Sequence, residues 1–211
     1  MGEKFINIDG SINIKNLDTC LERCLIKTIN VVSYMSEIRD PYTAFHQKRV
    51  AKLSLAIAQD MQMSEDEALG IYLGALLHDI GKVKVPAEYL SYPGRLSKEQ
   101  FNVIKKHPVD GEKIVHDIEF PWPIKEIILM HHERLDGTGY PLGLKSEEIP
   151  MSVRVVSVSD VVEAISSHRP YRAAKGVDVA LKHIKENTKT LYDEDVVLSC
   201  LNIFSGKGFQ F

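Results

Sequence analysis

The sequence predicts an all-α protein, and three observations carry that reading. Apolar residues recur at about 3.6-residue spacing over most of the chain. Two capping signatures, Ser64 to Glu67 and Ser97 to Gln100, each open a helical stretch. Strand-like alternation is confined to one valine-rich segment, 152–162, with no obvious partner strand nearby.

The elements follow in order. Residues 1–16 read as a leader or linker. Leu17, Cys20, Leu21, Cys24, Leu25, Thr28, Ile29 and Val32 form one apolar stripe, so 17–39 is an amphipathic helix with Cys20 and Cys24 as buried, reduced thiols. That helix reads equally as a dimer contact, a signalling stalk or a cap on the bundle. Asp40-Pro41 interrupts it, because proline disfavours helix in the residue before it. A second helix runs from about Tyr42 to Met61 with Val50, Leu53, Ile57 and Met61 inward. A third opens at Ser64 and reaches His78 and Asp79, with Gly81 able to end it. Residues 82–96 read as loop, and Ser97 caps a helix carrying Phe101 and Ile104 to His107-Pro108. Pro123 starts a helix that ends at His131 and His132. Residues 133–150 hold too many glycines and prolines for a regular element. The segment 152–162 is assigned to helix against its own propensity, and helices over 177–187 and 193–204 complete the chain.

Bulk properties narrow the function classes. A chain of 211 residues suits one globular domain with a short extension. With 26 basic and 29 acidic residues the net charge is -3, so no global basic field exists to hold long nucleic acid. Three cysteines without framework spacing argue against a secreted disulfide scaffold. No basic-then-apolar signal peptide opens the sequence, and no apolar run approaches the roughly 20 residues that span a bilayer. Direct membrane insertion is not expected, and the cytoplasm is the default location.

The chemistry lies in five short patches: His46; His78-Asp79; His107; His131-His132; and Asp160. Five imidazoles and two carboxylates make a mixed nitrogen and oxygen set that suits borderline first-row metals, and the missing thiolates argue against structural zinc. His78-Asp79 ends the apolar run ALLHD, and His131-His132 ends IILM. An ionisable pair buried in such a place needs compensation, which a cation supplies. Seven ligands exceed what one ion uses. Two cations about 3.5–4 Å apart, sharing a carboxylate and activating a water between them, fit the count and suit in-line displacement at phosphorus. His116, His168 and His183 lack this context.

At these residues the chain resembles the HD-GYP family, a branch of the HD-domain phosphohydrolases. The motifs are RDPYTAFHQKRVA, LLHDIGK at 76–82, HP followed by glycine at 107–111, HHERLDGTGYP at 131–141 and SDVVEAISSHRPYR at 159–172. The resemblance implies an HD-domain bundle of roughly seven helices, filling 40–211, with an irregular GYP loop. It implies a phosphodiesterase that hydrolyses cyclic di-GMP to linear pGpG or onward to GMP. Asp79 would bridge two iron or manganese ions, with His46, His78 and Asp160 on one and His107, His131 and His132 on the other. Lys82 would stand by the scissile phosphate, Tyr140 near a base or phosphate, and Arg169 with Arg172 as a phosphate clamp. A diguanylate cyclase, an upstream sensor domain or a second copy of the chain are the implied partners. Three positions depart from the family pattern. Tyr42 stands where relatives with a third metal carry glutamate, which sets the expected number at two. Phe45 stands where many members have glycine, and Tyr92 where many have lysine. The alternatives are a hydrolase of a related ring such as cGAMP, a slow nucleotide-binding docking module, or another HD hydrolase. The HHERLDGTGYP loop disfavours the last.

Overall fold

The computed structural model describes residues 20–38, 45–167, 174–206 and 208–211. Among them lie ten α-helices: α1 Cys20–Ile38, α2 His46–Asp60, α3 Glu65–Leu77, α4 Ala87–Leu90, α5 Lys98–Ile104, α6 His107–Val115, α7 Ile124–Met130, α8 Met151–Ser166, α9 Val177–Glu186 and α10 Glu194–Gly206. Short 3-10 turns fill Ile80–Lys84 and Ser146–Glu148. The described residues hold no strand, and β-type pairing is limited to isolated bridges at Asp136–Lys145 and Thr188–Tyr192. No helix among them is long and apolar enough to cross a membrane.

Helix α3 is the axis of the bundle. Every residue from Ala68 to Leu77 is buried, and α1, α2, α7 and α8 all pack on it. Its start is fixed as the sequence requires: the Ser64 hydroxyl accepts from the Glu67 amide, while the Glu67 carboxylate accepts from the Ser64 amide. The Ser97–Gln100 box does the same for α5. Val50, Leu53 and Ile57 of α2 are fully buried against this core.

Helix α8 settles the conflict over 152–162. Val153, Val155, Val156, Val158 and Val162 are all buried, enclosed by α2, α3, α7, α9 and α10. A helix apolar on nearly all sides gains enough from packing to override the small helix penalty of β-branched residues.

Several expectations are corrected. The segment after α5 is a separate helix, α6: Pro108 lies in its first turn, where a missing N–H costs nothing, and does not terminate the one before. Part of the stretch read as loop, 82–96, is regular, in the 3-10 turn and the single-turn α4. Gly81 does not cap α3, which ends at Leu77; it lies within the 3-10 turn. Among the described side chains of α1, over 24–36, the buried ones are Ile26, Ile29, Ser33 and Ser36. Cys24, read as a buried thiol, is exposed. The Asp40-Pro41 break and Tyr42 lie outside the described residues. Phe45, 56 % exposed, precedes α2 with φ +68, the left-handed region where glycine is at ease.

Candidate metal centre

The chain brings its five histidine and aspartate patches to one place from five elements. His46 opens α2, and His78 and Asp79 follow α3 directly. His107 opens α6, His131 and His132 follow α7, and Asp160 projects from the middle of α8.

Two triads of potential ligand atoms result. His46, His78 and Asp79 place one such atom each within 4.8 Å of one another, and so do His107, His131 and His132. Asp79 joins them. Its Oδ2 lies 3.3 Å from His78 Nε2 and 3.7 Å from His46 Nε2. Its Oδ1 lies 3.2 Å from His107 Nε2 and 3.9 Å from His131 Nε2. Asp160 Oδ1 sits on the first side, 3.3 Å from His46 Nε2 and 3.9 Å from His78 Nε2.

The imidazoles are oriented so that their Nε2 atoms converge. Nδ1 of His78, His107 and His131 donates to the main-chain oxygens of Ala75, Ile104 and Ile128, at 2.7, 2.8 and 2.9 Å. A carbonyl can only accept, so each Nδ1 carries the hydrogen, which leaves Nε2 as the atom of each ring that is turned inward and available to a ligand. His107 Nε2 and His131 Nε2 thereby face each other at 3.2 Å. His78 Nε2 and Asp79 Oδ1 are buried and make no well-formed hydrogen bond. Converging lone pairs and carboxylate oxygens in a buried place demand a positive charge among them. The donor set therefore fits divalent cations, and these residues can bind metal.

Titration properties agree. Burial, with His132 and His78 nearby, pushes His131 well below the usual imidazole range. Burial does the same to His132. Burial opposes ionisation of Asp79, but Lys82 and His78 outweigh it and hold the carboxyl well below its ordinary value. Asp160 behaves likewise, held down against burial by His46. His78 moves the other way: burial opposes its charged form, but the neighbouring Asp79 raises it above the usual imidazole range. Neutral His131 and His132 beside ionised Asp79 and Asp160 are the protonation states that metal ligation requires.

The remaining candidates take varied places. Lys82 Nζ lies 2.6 Å from Asp79 Oδ2, at the rim of the cluster. The Tyr140 ring stacks on His132, with centroids 4.6 Å apart and planes inclined by 28°. The Lys105 ammonium also lies over this ring, 4.6 Å from its centroid. Arg169 and Arg172 lie outside the described residues, as does His168. Tyr92 is exposed. His116 pairs with Glu112 at the surface, and His183 meets Tyr192 edge-on; neither joins the cluster.

Two buried acids escaped the sequence reading. Glu133, 2 % exposed, accepts from the amides of Leu142, Gly143 and Leu144 at 2.7, 3.2 and 3.0 Å. It ties down the loop that carries Tyr140. Glu163 is fully buried on α8 and takes His46 Nδ1, Arg49 and Ser167 as partners. The available signal was an acid three residues after Asp160, on a helix otherwise nearly free of charge.

Known proteins agree with this picture. A family model described as HD domain matches residues 30–196. The chain is 40% identical over 184 residues to a cyclic di-GMP phosphodiesterase of Thermotoga maritima, covering 86% of this chain and 50% of that protein. It is 35% identical over 182 residues to a 3'3'-cGAMP-specific phosphodiesterase of Vibrio cholerae, covering 85% of this chain and 38% of that one. The chain thus spans half or less of these relatives. Among solved structures, an HDG"Y"P protein of Bdellovibrio bacteriovorus superposes with a TM-score of 0.63 at 23% identity, covering 92% of this chain and 59% of that one, a likeness of fold. By family match and by its own HHERLDGTGYP motif, the chain belongs to the HD-domain family, in its HD-GYP branch.

Proposed function

We propose that this chain is a metal-dependent phosphodiesterase that opens cyclic di-GMP to linear pGpG and then GMP. The observation that carries the reading is Asp79, whose two oxygens each face a different cluster of imidazoles. His46, His78 and Asp160 would hold one ion with Asp79, and His107, His131 and His132 would hold the other. Two divalent iron or manganese ions bound there would supply Lewis acidity and a water acidic enough to attack phosphorus in line.

The protein's own groups do the rest. Asp79 and Asp160, ionised and buried, fix the positions of charge before substrate arrives. Lys82 stands beside Asp79, where its ammonium can meet the charge that grows on the phosphoryl oxygens. Tyr140, stacked on His132 and anchored through the loop held by Glu133, borders the substrate space. Arg169 and Arg172, outside the described residues, would serve as a phosphate clamp through their planar forks. The relative specific for 3'3'-cGAMP favours a second reading, in which the mixed ring is the substrate.

The test is incubation of purified protein with cyclic di-GMP and 3'3'-cGAMP in Mn²⁺ or Fe²⁺, with products separated by chromatography. Linear dinucleotide from cyclic di-GMP supports the proposal, and turnover of the mixed ring alone supports the second reading. Metal bound with no turnover of either ring refutes both and favours a docking module.

A further inference from the structure

We propose that Glu163 is a positioning residue that sets the affinity of one metal subsite, that of His46, His78 and Asp79, and leaves the other unaffected. The inference rests on the two-metal reading above.

Glu163 sits in the interior of α8 with a fully buried side chain. A carboxylate there needs compensation. Its Oε1 receives that compensation, accepting from Arg49 Nε at 2.6 Å and Arg49 Nη2 at 2.5 Å, and from the Ser167 hydroxyl at 2.6 Å. Its Oε2 faces His46 Nδ1. One oxygen thus serves the fold and the other serves the imidazole, across 117 positions of sequence.

The other anchored imidazoles are held differently. His78, His107 and His131 each lean on a main-chain carbonyl three residues earlier. His46 Nδ1 faces a side chain from another helix. Helix α8 supplies an anion instead. An acceptor on Nδ1 fixes the ring and the tautomer, and a charged acceptor also makes Nε2 a more basic ligand than a carbonyl does. That Nε2 is the atom 3.3 Å from Asp160 Oδ1 and 3.7 Å from Asp79 Oδ2. Only the first triad contains His46, so loss of the anion should fall on that subsite.

The experiment titrates metal-free full-length protein with Mn²⁺ against a competing chelator. Glu163→Gln keeps the size of the side chain and an oxygen for His46 Nδ1, and removes the charge. Wild type should bind two equivalents. The variant should keep one at wild-type affinity and weaken for the other by roughly 10–100-fold. Adding His107→Ala should abolish the retained equivalent, which places it at the second triad. A folded Glu163→Gln protein that binds both equivalents as wild type does, or weakens equally for both, overturns the inference and leaves the two-metal reading standing. Wild type that binds no Mn²⁺ overturns that reading and the inference with it. If Glu163→Gln does not fold, Glu163→Asp carries the same expectation and the same overturning results. It keeps the charge opposite Arg49 and withdraws reach from His46.

Discussion

Alanine in place of Gly81 should separate the two halves of the metal centre. A methyl group built on Gly81 would stand 1.9 Å from the main-chain oxygen of His107, 2.5 Å from the amide nitrogen of Gly111 and 2.9 Å from its Cα. A carbon tolerates an oxygen at about 3.3 Å, so the His107 carbonyl must retreat by roughly 1.4 Å. All three obstructing atoms are backbone, which no rotamer change can move aside. The start of α6 must therefore shift away from the turn that carries Asp79 and Lys82. Overpacking of this kind costs about 1–3 kcal/mol, and a clash between two backbones belongs at the upper end. At this chain length about 3 kcal/mol lowers Tm by roughly 6–12 °C. The displaced element carries His107, whose Nε2 is 3.2 Å from Asp79 Oδ1. Misplacement of about 1 Å at a reacting centre costs on the order of 100-fold in rate. Thermal melting of the metal-free variant and its turnover of cyclic di-GMP would measure both effects. A Gly81→Ala protein that melts within about 2 °C of wild type, with unchanged turnover, would refute the reasoning.

Two further outcomes follow from the buried acids. Glu133→Gln replaces a charged acceptor of three amides with a neutral one, so about 2 kcal/mol of stability should be lost in denaturant unfolding; a midpoint equal to wild type would show that the loop is held by other contacts. Glu163 responds to acid. Burial raises its pKa, yet the His46, Ser167 and Arg49 contacts outweigh that and hold it at about 2, below an ordinary 4.5. A depressed carboxylate stabilises the fold above the unfolded pKa and loses that effect as pH falls. The metal-free protein should therefore lose on the order of 3 kcal/mol from this group between pH 4.5 and 2. Glu163→Gln should flatten that part of the pH–stability curve, and an unchanged curve would contradict the assignment.

Much of this centre was legible because its residues break local rules. His78-Asp79 and His131-His132 are ionisable pairs at the ends of apolar runs, and such pairs stand out in any hydropathy reading. Glu133 and Glu163 did not stand out, because their partners are far away in sequence or are backbone amides. Helix α6 was hidden by Pro108, whose meaning depends on whether a helix has just ended or is about to begin. Helix α8 was read against its propensity, since the burial that decides it is a property of the whole bundle. The glycine at 81 was noticed, but its reason was not: close approach to His107 and Gly111 arises only when α6 packs against the turn after α3.

The central claim is a pair of cations bridged by one carboxylate, and counting bound Mn²⁺ per chain in wild type and in Asp79→Asn tests it most directly. Wild type should bind about two equivalents, and the variant should lose tight binding at both subsites, because each oxygen of Asp79 faces one triad. An Asp79→Asn protein that still binds both ions as tightly as wild type would contradict it.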